Sequence, residues 1–145
     1  PRLRAQIVHN DFNPHNILVD APHATYPVGL IDFGDMVHRP IACDLAVACS
    51  YQIGNGTDPL HAICEMVAGY TNCLRLEPEE IALLPSLIRL RHTTTLAIGA
   101  SRARRYPANA PYILRNADAA QRGLATLDQI GDATVIDALK RAAAI

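Results

Sequence analysis

The chain has 145 residues, of which half are hydrophobic and 19% are charged, and its formal net charge is -1. This is the length of one ordinary domain, which buries about two-thirds of its unfolded surface on folding. A nearly neutral chain has no field to attract nucleic acid or anionic lipid, and no apolar run approaches the ~20 residues of a membrane span. We therefore expect a single domain over residues 1–145, with no nucleic-acid or membrane partner.

The cysteines and the N-terminus indicate the cellular compartment. Cys43, Cys49, Cys64 and Cys73 show no C-x-x-C spacing, and each lies among apolar residues. This is typical of reduced core thiols, not of a disulfide or zinc framework, so we expect four core thiols in a cytoplasmic protein. The first residues lead into a strand-like run without a signal-peptide core, and the chain is expected to be cut from a longer one.

The first third of the chain is predicted to form strands and turns. Short apolar runs at residues 5–8, 17–19 and 28–31 predict three strands. Turn-forming residues separate the last two runs. We expect those two strands to form a β-hairpin.

From Ile41 onward, apolar residues recur at spacings of three and four, which predicts helices. Asp58 and Pro59 are expected to begin the second helix. Glu77 opens a third helix, in which Pro85 either causes a kink or marks the true start. A fourth helix is predicted from about Tyr112 to Ile130, and a short one follows. The fold class is therefore α+β and mainly helical.

The densest polar cluster runs from His9 to Asn16, between two predicted strands. A second cluster, Asp32-Phe33-Gly34-Asp35, follows the second strand of the hairpin. Paired strands lie about 4.8 Å apart, and loops at strand ends present functional groups. We therefore expect Asp11, Asn16 and Asp32 to converge on one point.

These residue types suit phosphoryl transfer. Oxygen ligands without a cysteine or a close histidine pair favour Mg²⁺, which typically binds one or two carboxylates together with substrate phosphates. Asn16 and Asp32 fit that role. Asp11, in a loop stiffened by Pro14, is then free to accept a proton from a substrate hydroxyl.

The pattern His9-x-Asp11-x-x-x-x-Asn16, followed by Asp32-Phe33-Gly34, resembles the catalytic loop and the metal-binding D-F-G of the kinase fold. The resemblance implies a catalytic pair, in which Asp11 is the base and His9 a structural member of the loop. It implies that Asn16 and Asp32 bind Mg²⁺ and, through it, ATP or GTP. The chain would then be the C-terminal lobe of a protein-kinase-like fold, with a short hairpin carrying the catalytic loop.

The spacing after Asp32 favours one branch of that fold. Helical periodicity resumes by about Ile41, which leaves no room for the peptide-docking segment of a protein kinase. Asn13 also occupies the place where many protein kinases have a lysine. Asp44-Leu45-Ala46 resembles the motif of small-molecule kinases, namely aminoglycoside phosphotransferases, choline kinases, homoserine kinases and hydroxylysine kinases. In that family Asp44 is implied to brace the catalytic loop by hydrogen bonding.

Finer features resemble the hydroxylysine kinase-like group, namely residues 31–36 (Ile-Asp-Phe-Gly-Asp-Met) and 109–112 (Asn-Ala-Pro-Tyr). Asn10 departs from the branch, which commonly has glycine there. The implied activity of the full-length protein is transfer of the ATP γ-phosphate to the hydroxyl of a small amino alcohol, hydroxy amino acid or aminoglycoside-like substrate.

Several residues have weaker assignments. Asp35 is either a second metal or water contact or a local turn cap. Arg91 is a candidate contact for an anionic group of the substrate, such as a carboxylate. Arg102, Arg104 and Arg105 are expected to be surface charges favoured by a helix C-terminus.

No Gly-rich phosphate loop or nucleotide-pairing lysine is recognisable, and the only lysine is Lys140. We therefore expect the nucleotide-binding N-lobe to be absent from this chain and the isolated chain to be inactive. Two alternatives stay open. One is a catalytically silent kinase-like binding module, and the other is a hydrolase in which His9, Asp11 and His15 hold a transition metal.

Overall fold

The computed structural model describes residues 3–20, 26–54 and 57–144. Within these ranges the strands are β1 (Ala5–Val8), β2 (Ile17–Val19), β3 (Pro27–Leu30) and β4 (Val37–Pro40). The helices are α1 (Ile41–Ser50), α2 (His61–Cys73), α3 (Pro78–Arg105), α4 (Ala110–Ile113), α5 (Ala117–Ile130) and α6 (Asp132–Ala142). The α+β, mainly helical architecture of a kinase-like C-terminal lobe is confirmed.

The strands form two antiparallel pairs. β2 pairs with β3, with Ile17 opposite Leu30, so the predicted hairpin is present, although β3 begins and ends one residue earlier than predicted. β1 pairs with β4, with Ala5 opposite Pro40. β4 is not predicted from the sequence, because Val-His-Arg-Pro lacks an apolar run and its strand conformation depends on pairing with β1.

α2 begins at His61 and not at Asp58. The Asp58 carboxylate accepts a hydrogen bond from the backbone N–H of Leu60 at 2.9 Å, and Pro59 lies in the preceding turn. The prediction that Asp58 caps the helix and Pro59 begins it is therefore wrong, because Asp58 stabilises a turn and the N-cap residue, Leu60, has no side-chain capping bond.

α3 begins at Pro78, after a capping box between Glu77 and Glu80, and continues through Pro85. Pro85 is therefore not its start. Glu80 is buried and pairs with Arg4, whose Nε donates to Oε1 at 3.0 Å. Burial acts to raise the pKa of Glu80, but the hydrogen bond from Arg4, the hydrogen bond from the Glu77 backbone and the charge of Arg4 together outweigh burial, so the pKa is lowered. This pair fixes the segment before β1 to the start of α3.

The predicted fourth helix is interrupted. A turn at residues 114–116 separates α4 from α5, and the backbone N–H of Ala117 donates to the carbonyl of Leu114 at 2.8 Å. One turn of this length preserves the apolar spacing on both sides, so periodicity alone could not detect the break.

The helices enclose one apolar core. All residues of α1 are buried except Asp44 and Ser50, which are half-buried. This helix packs mainly against α3. The core cluster draws residues from α1, α2, α3, α5 and α6, including Ile63, Leu84, Ile88 and Leu127. In the part of the chain that the structure describes, no helix is long and apolar enough to cross a membrane.

All four cysteines are free. Cys43 and Cys49 are buried, and burial raises the pKa of Cys49 to about 12, as for an inert core thiol. Cys64 is half-buried, and Cys73 is exposed, so the expectation of four core thiols is wrong for Cys73. Cys73 ends α2 and lies off the face that Ile63 buries. A cytoplasmic location stays a prediction.

Alanine substitutions at two helical glycines should change the stability of the fold in opposite directions. A Cβ at Gly123 in α5 would lie 2.3 Å from Nε2 of His92, whereas a Cβ at Gly69 in α2 would meet nothing within 4 Å. We expect Gly123→Ala to lower the free energy of unfolding by roughly 1–3 kcal/mol through overpacking. Gly69→Ala is the matched control and should raise it by up to about 1 kcal/mol, since glycine is a poor helix former. Urea unfolding measures both, and equal effects would contradict the packing.

Protonation of the buried His92 should destabilise the fold in mild acid. It is buried on α3, and burial, assisted by the charge of Arg91, lowers its pKa to about 4 from an ordinary value of 6.5. The folded state thus favours the neutral ring, so stability is present above pH 6.5 and is lost as pH falls toward 4. We expect a loss on the order of 3 kcal/mol at most. Urea unfolding at several pH values should show that the free energy of unfolding falls less steeply with decreasing pH in His92→Leu than in the wild type. The same pH dependence in both proteins would contradict the role of His92.

Candidate active site

The loop between β1 and β2 holds the Asp11 carboxylate by both of its oxygens. Nη2 of Arg91 donates to Oδ1 at 2.7 Å. The side-chain amides of Asn13 and Asn16 donate to Oδ2 at 3.0 Å and 3.3 Å. Asp11 is half-buried, and these three donors fix the plane and direction of its carboxylate.

Asn16 is buried and oriented by the same loop. Its Nδ2 also donates to the backbone carbonyl of Asp11 at 2.9 Å, and its backbone N–H donates to the carbonyl of Asn13 at 3.0 Å. Because the amide nitrogen faces Asp11, the amide oxygen is the atom that can bind a cation.

His9 connects the loop to the end of β3. It is buried, its Nε2 donates to the carbonyl of Ile31 at 2.9 Å, and its ring centroid lies 5.1 Å from that of Phe33. The backbone N–H of Ile31 donates in turn to the carbonyl of Asn16 at 3.0 Å. Both ends of the loop are thus bonded to the residue directly before Asp32.

Asp32 has a strained backbone. Its φ of 62° lies in the left-handed region, which costs a non-glycine residue about 1–2 kcal/mol. Its side chain is exposed and makes no capping hydrogen bond to the 3₁₀ turn Phe33–Asp35 that follows. A carboxylate held in this way after a strand is typical of a functional position.

Asn10 is the second strained residue, with a φ of 66°. Asparagine tolerates this region better than most residues, which explains how it occupies a position where glycine is common. Its backbone N–H donates to Oδ1 of Asp44 at 2.6 Å, and its side-chain oxygen accepts from Arg39 on β4. Asp44 therefore makes the kind of loop contact that the resemblance implies, from within the buried helix α1.

Arg91 lies on α3, half-buried beside the loop. Its Nη2 also donates to the hydroxyl of Tyr51 at 3.3 Å. Burial acts to lower the pKa of Arg91, but Tyr51 and the charge of Asp11 outweigh it and raise the pKa. The sequence predicts Arg91 only as a substrate contact. Its ion pair with Asp11 joins residues 80 positions apart, and neither this pair nor the contacts of Arg39 and Tyr51 are predicted from the sequence.

Two cavities adjoin Arg91. One, of about 230 Å³, is lined by Asn10, Arg39 and apolar residues of α1 and α3. The other, of about 340 Å³, lies between α3, the α4 segment and the turn that contains Asp35. Asp35 is exposed and forms part of this second wall, so the structure brings it to the same side of the loop as Arg91.

The transition-metal alternative gains no support from the described residues. They contain no group of three or more His, Cys, Asp and Glu side chains placed to hold a metal ion. His9 uses Nε2 on the Ile31 carbonyl. The donors around Asp11 are instead amides and a guanidinium.

The model of the phosphotransferase enzyme family matches residues 1–76, just over half of the chain. The chain belongs to this family. The matched range contains Asp11, Asn16, Asp32 and Asp44, whereas Arg91 lies beyond it. The family match thus includes the loop between β1 and β2, and the helices from α3 onward lie outside it.

Relatives of this chain align with most of its length. It is 31% identical over 140 residues to a hydroxylysine kinase of Xenopus laevis and 29% identical over 139 residues to one of Mus musculus. Each alignment covers 92% of this chain and 37% of the relative. A hydroxylysine kinase of Danio rerio is 29% identical over 133 residues, covering 90% and 38%. The chain thus spans well under half the length of these relatives. No solved structure gives a significant match.

The bond between Asp44 and the loop can be tested by truncation. Asp44→Ala removes the acceptor for the backbone N–H of the strained Asn10, so that Arg39 is left as the described contact of its side chain. We expect a loss of about 1.5–3 kcal/mol in the free energy of unfolding, the range for hydrogen bonds to charged groups. Asp137→Ala, at an exposed position of α6, is the control and should change stability by less than about 0.5 kcal/mol. Urea unfolding compares them; equal losses would contradict the bracing contact.

Proposed function

We propose that the complete protein is an ATP-dependent kinase that phosphorylates a hydroxyl group of a small amino alcohol, hydroxy amino acid or aminoglycoside-like substrate. Residues 1–145 would form one domain, the C-terminal catalytic and substrate-binding lobe. The observation that carries the proposal is the Asp11 carboxylate, held on both oxygens by Asn13, Asn16 and Arg91. Family membership and the hydroxylysine kinase relatives support the same reaction class.

Asp11 is proposed as the catalytic base. It accepts the proton of the substrate hydroxyl while the hydroxyl oxygen forms a bond to the γ-phosphorus of ATP. The bond from that phosphorus to the oxygen of the β-phosphate breaks, and ADP leaves. The contribution of Asp11 is chiefly to position the hydroxyl, because phosphoryl transfer depends mostly on alignment and charge stabilisation.

Asn16 and Asp32 are proposed to bind Mg²⁺. An amide oxygen directed away from Asp11 and an exposed carboxylate are the oxygen donors that this ion prefers. When bound, Mg²⁺ supplies charge neutralisation at the phosphates. His9 and Asp44 act as positioning residues, since their described contacts are to Ile31, ring neighbours and the Asn10 backbone.

The proposed partner of this lobe is a preceding nucleotide-binding lobe of the same protein. Large apolar side chains are exposed on the strands and on the turn after Asp32, including Ile7, Val28 and Phe33. Exposed apolar groups concentrated on one part of a molecule mark interaction surfaces. The relatives are more than twice as long as this chain, which supports a further lobe that covers these side chains and grips ATP.

The test is ATP consumption by the complete protein with hydroxylysine and other hydroxylated amines. Asp11→Asn should lower kcat by roughly 10²–10⁴-fold, because the amide neither accepts the hydroxyl proton nor orients the hydroxyl as the carboxylate does. Asp32→Asn should raise the Mg²⁺ concentration required for half-maximal rate. Asp137→Asn is the charge-matched control and should retain the full rate, since this residue is exposed on α6.

Other outcomes separate the alternatives. Mg²⁺-dependent nucleotide binding without turnover on any hydroxylated substrate would contradict the kinase and favour the catalytically silent binding module. The 145-residue chain alone should show no turnover, because no lobe is present to hold the nucleotide. Turnover by this chain alone that is abolished by Asp11→Asn would overturn the dependence on a second lobe.

A further inference from the structure

The cavity of about 340 Å³ beside Arg91 has an unusual charge composition. Its charged lining residues are Arg91, Arg102, Arg115 and Asp35, and we call this cavity the arginine pocket. Arg91 also donates to Asp11, so the pocket adjoins the proposed catalytic base. A ligand in it would therefore lie next to the reacting groups.

The positive charge of the arginine pocket is only partly neutralised. Arg91 is matched by Asp11, but neither Arg102 nor Arg115 forms an ion pair within the described ranges. In the described part of the chain, the lining of the pocket thus has two unpaired guanidinium groups, those of Arg102 and Arg115, and one carboxylate, that of Asp35. Unmatched arginines next to a reaction centre favour an anionic ligand group.

Arg115 is held in a defined orientation. Its guanidinium carbon lies 4.1 Å from the centroid of the Tyr112 ring, and its Nη1 donates to the Tyr112 carbonyl at 3.2 Å. Stacking of this kind preorganises the planar group and leaves its other N–H donors available. Arg102 lies on α3 three turns beyond Arg91 and faces the same pocket.

We propose that the arginine pocket binds the carboxylate of the substrate, so that the phosphoryl acceptor is a hydroxy amino acid. This inference rests on the kinase function proposed above and narrows its substrate class. Arg102 and Arg115 pair with the carboxylate, and Asp35 pairs with an ammonium group of the same molecule. Aminoglycosides and simple amino alcohols are disfavoured, since they are cationic and lack an anionic group.

The size of the pocket agrees with this ligand class. Its volume of about 340 Å³ lies at the low end of ligand pockets, which span roughly 300–1,000 Å³. A single amino acid fits that volume better than a compound of several sugar rings does. With Arg91 paired to Asp11, the lining still offers Arg102 and Arg115 to the carboxylate of a zwitterion and Asp35 to its ammonium group.

The experiment compares matched substrate pairs in the complete protein. Hydroxylysine is paired with its decarboxylated counterpart, 1,5-diaminopentan-2-ol, and homoserine is paired with 3-aminopropan-1-ol. We expect kcat/KM for at least one acid to exceed that of its partner about 100-fold. Arg102→Gln and Arg115→Gln should each lower the value for the acid by about 10- to 100-fold and leave the decarboxylated compound within threefold. Arg104→Gln, exposed on the same helix and outside the pocket, is the control.

Charge reversal guards against a variant that merely fails to fold. Arg102→Glu should bring the preference for the acid close to unity or invert it, which an unfolded protein cannot do. An unchanged preference in Arg102→Glu, or equal kcat/KM for acids and decarboxylated partners in the wild type, would overturn the inference while the kinase function stands.

Calorimetric binding separates the inference from the activity. If the acids bind more tightly than their decarboxylated partners, and Arg102→Gln removes this difference, the carboxylate-binding role of the pocket is supported. If the same protein consumes no ATP, only the proposed kinase function is contradicted. The competing occupant is a phosphate of the nucleotide. The acids would then fail to bind in the presence of a saturating non-hydrolysable ATP analogue, and inorganic phosphate would compete with the acids equally well. This result would assign the arginines to the nucleotide and overturn the inference.

Discussion

The ion pair between Arg91 and Asp11 is the contact on which the geometry of the candidate site depends. It joins the loop after β1 to the long helix α3, which is anchored in the core between α1, α5 and α6. Both side chains are partly buried, at 28% and 22% exposed. Removing one partner of such a pair leaves an uncompensated charge, so the position of the loop is coupled to the packing of the whole helical part.

A second constraint is backbone strain at Asn10 and Asp32, one on each side of the site. Strained residues persist only where surrounding contacts overdetermine them. At Asn10 these contacts come from Asp44 in α1 and from Arg39 in β4, and at Asp32 they come from the backbone bonds that Ile31 makes to His9 and Asn16. The pairing of β1 with β4 therefore matters for the site, because it brings Arg39 within reach of the loop.

The candidate reacting groups and the arginine pocket lie mainly in different parts of the chain. The candidate base and metal ligands lie within residues 1–76, the range shared with the phosphotransferase family. The three arginines of the arginine pocket, Arg91, Arg102 and Arg115, lie outside that range, on α3 and in the turn after α4. Reaction chemistry demands a fixed set of atoms, whereas different acceptors demand different pocket walls. In the proposed function, the loop carries the reacting groups and the helical part contacts the acceptor.

Local pattern in the sequence determined the fold class, the hairpin, most of the helices and the motif residues from His9 to Asp44, because periodicity and spaced motifs depend on neighbours along the chain. Tertiary structure alone decided what depends on distant partners. β4 exists through pairing with β1, the buried Pro85 is accommodated inside α3, and Cys73 is exposed by its helix face. The ion pair of Arg91 with Asp11 and the pocket containing Arg102 and Arg115 arise only when α3 packs beside the loop. No spacing rule links residues so far apart, since their proximity results from packing and not from local geometry.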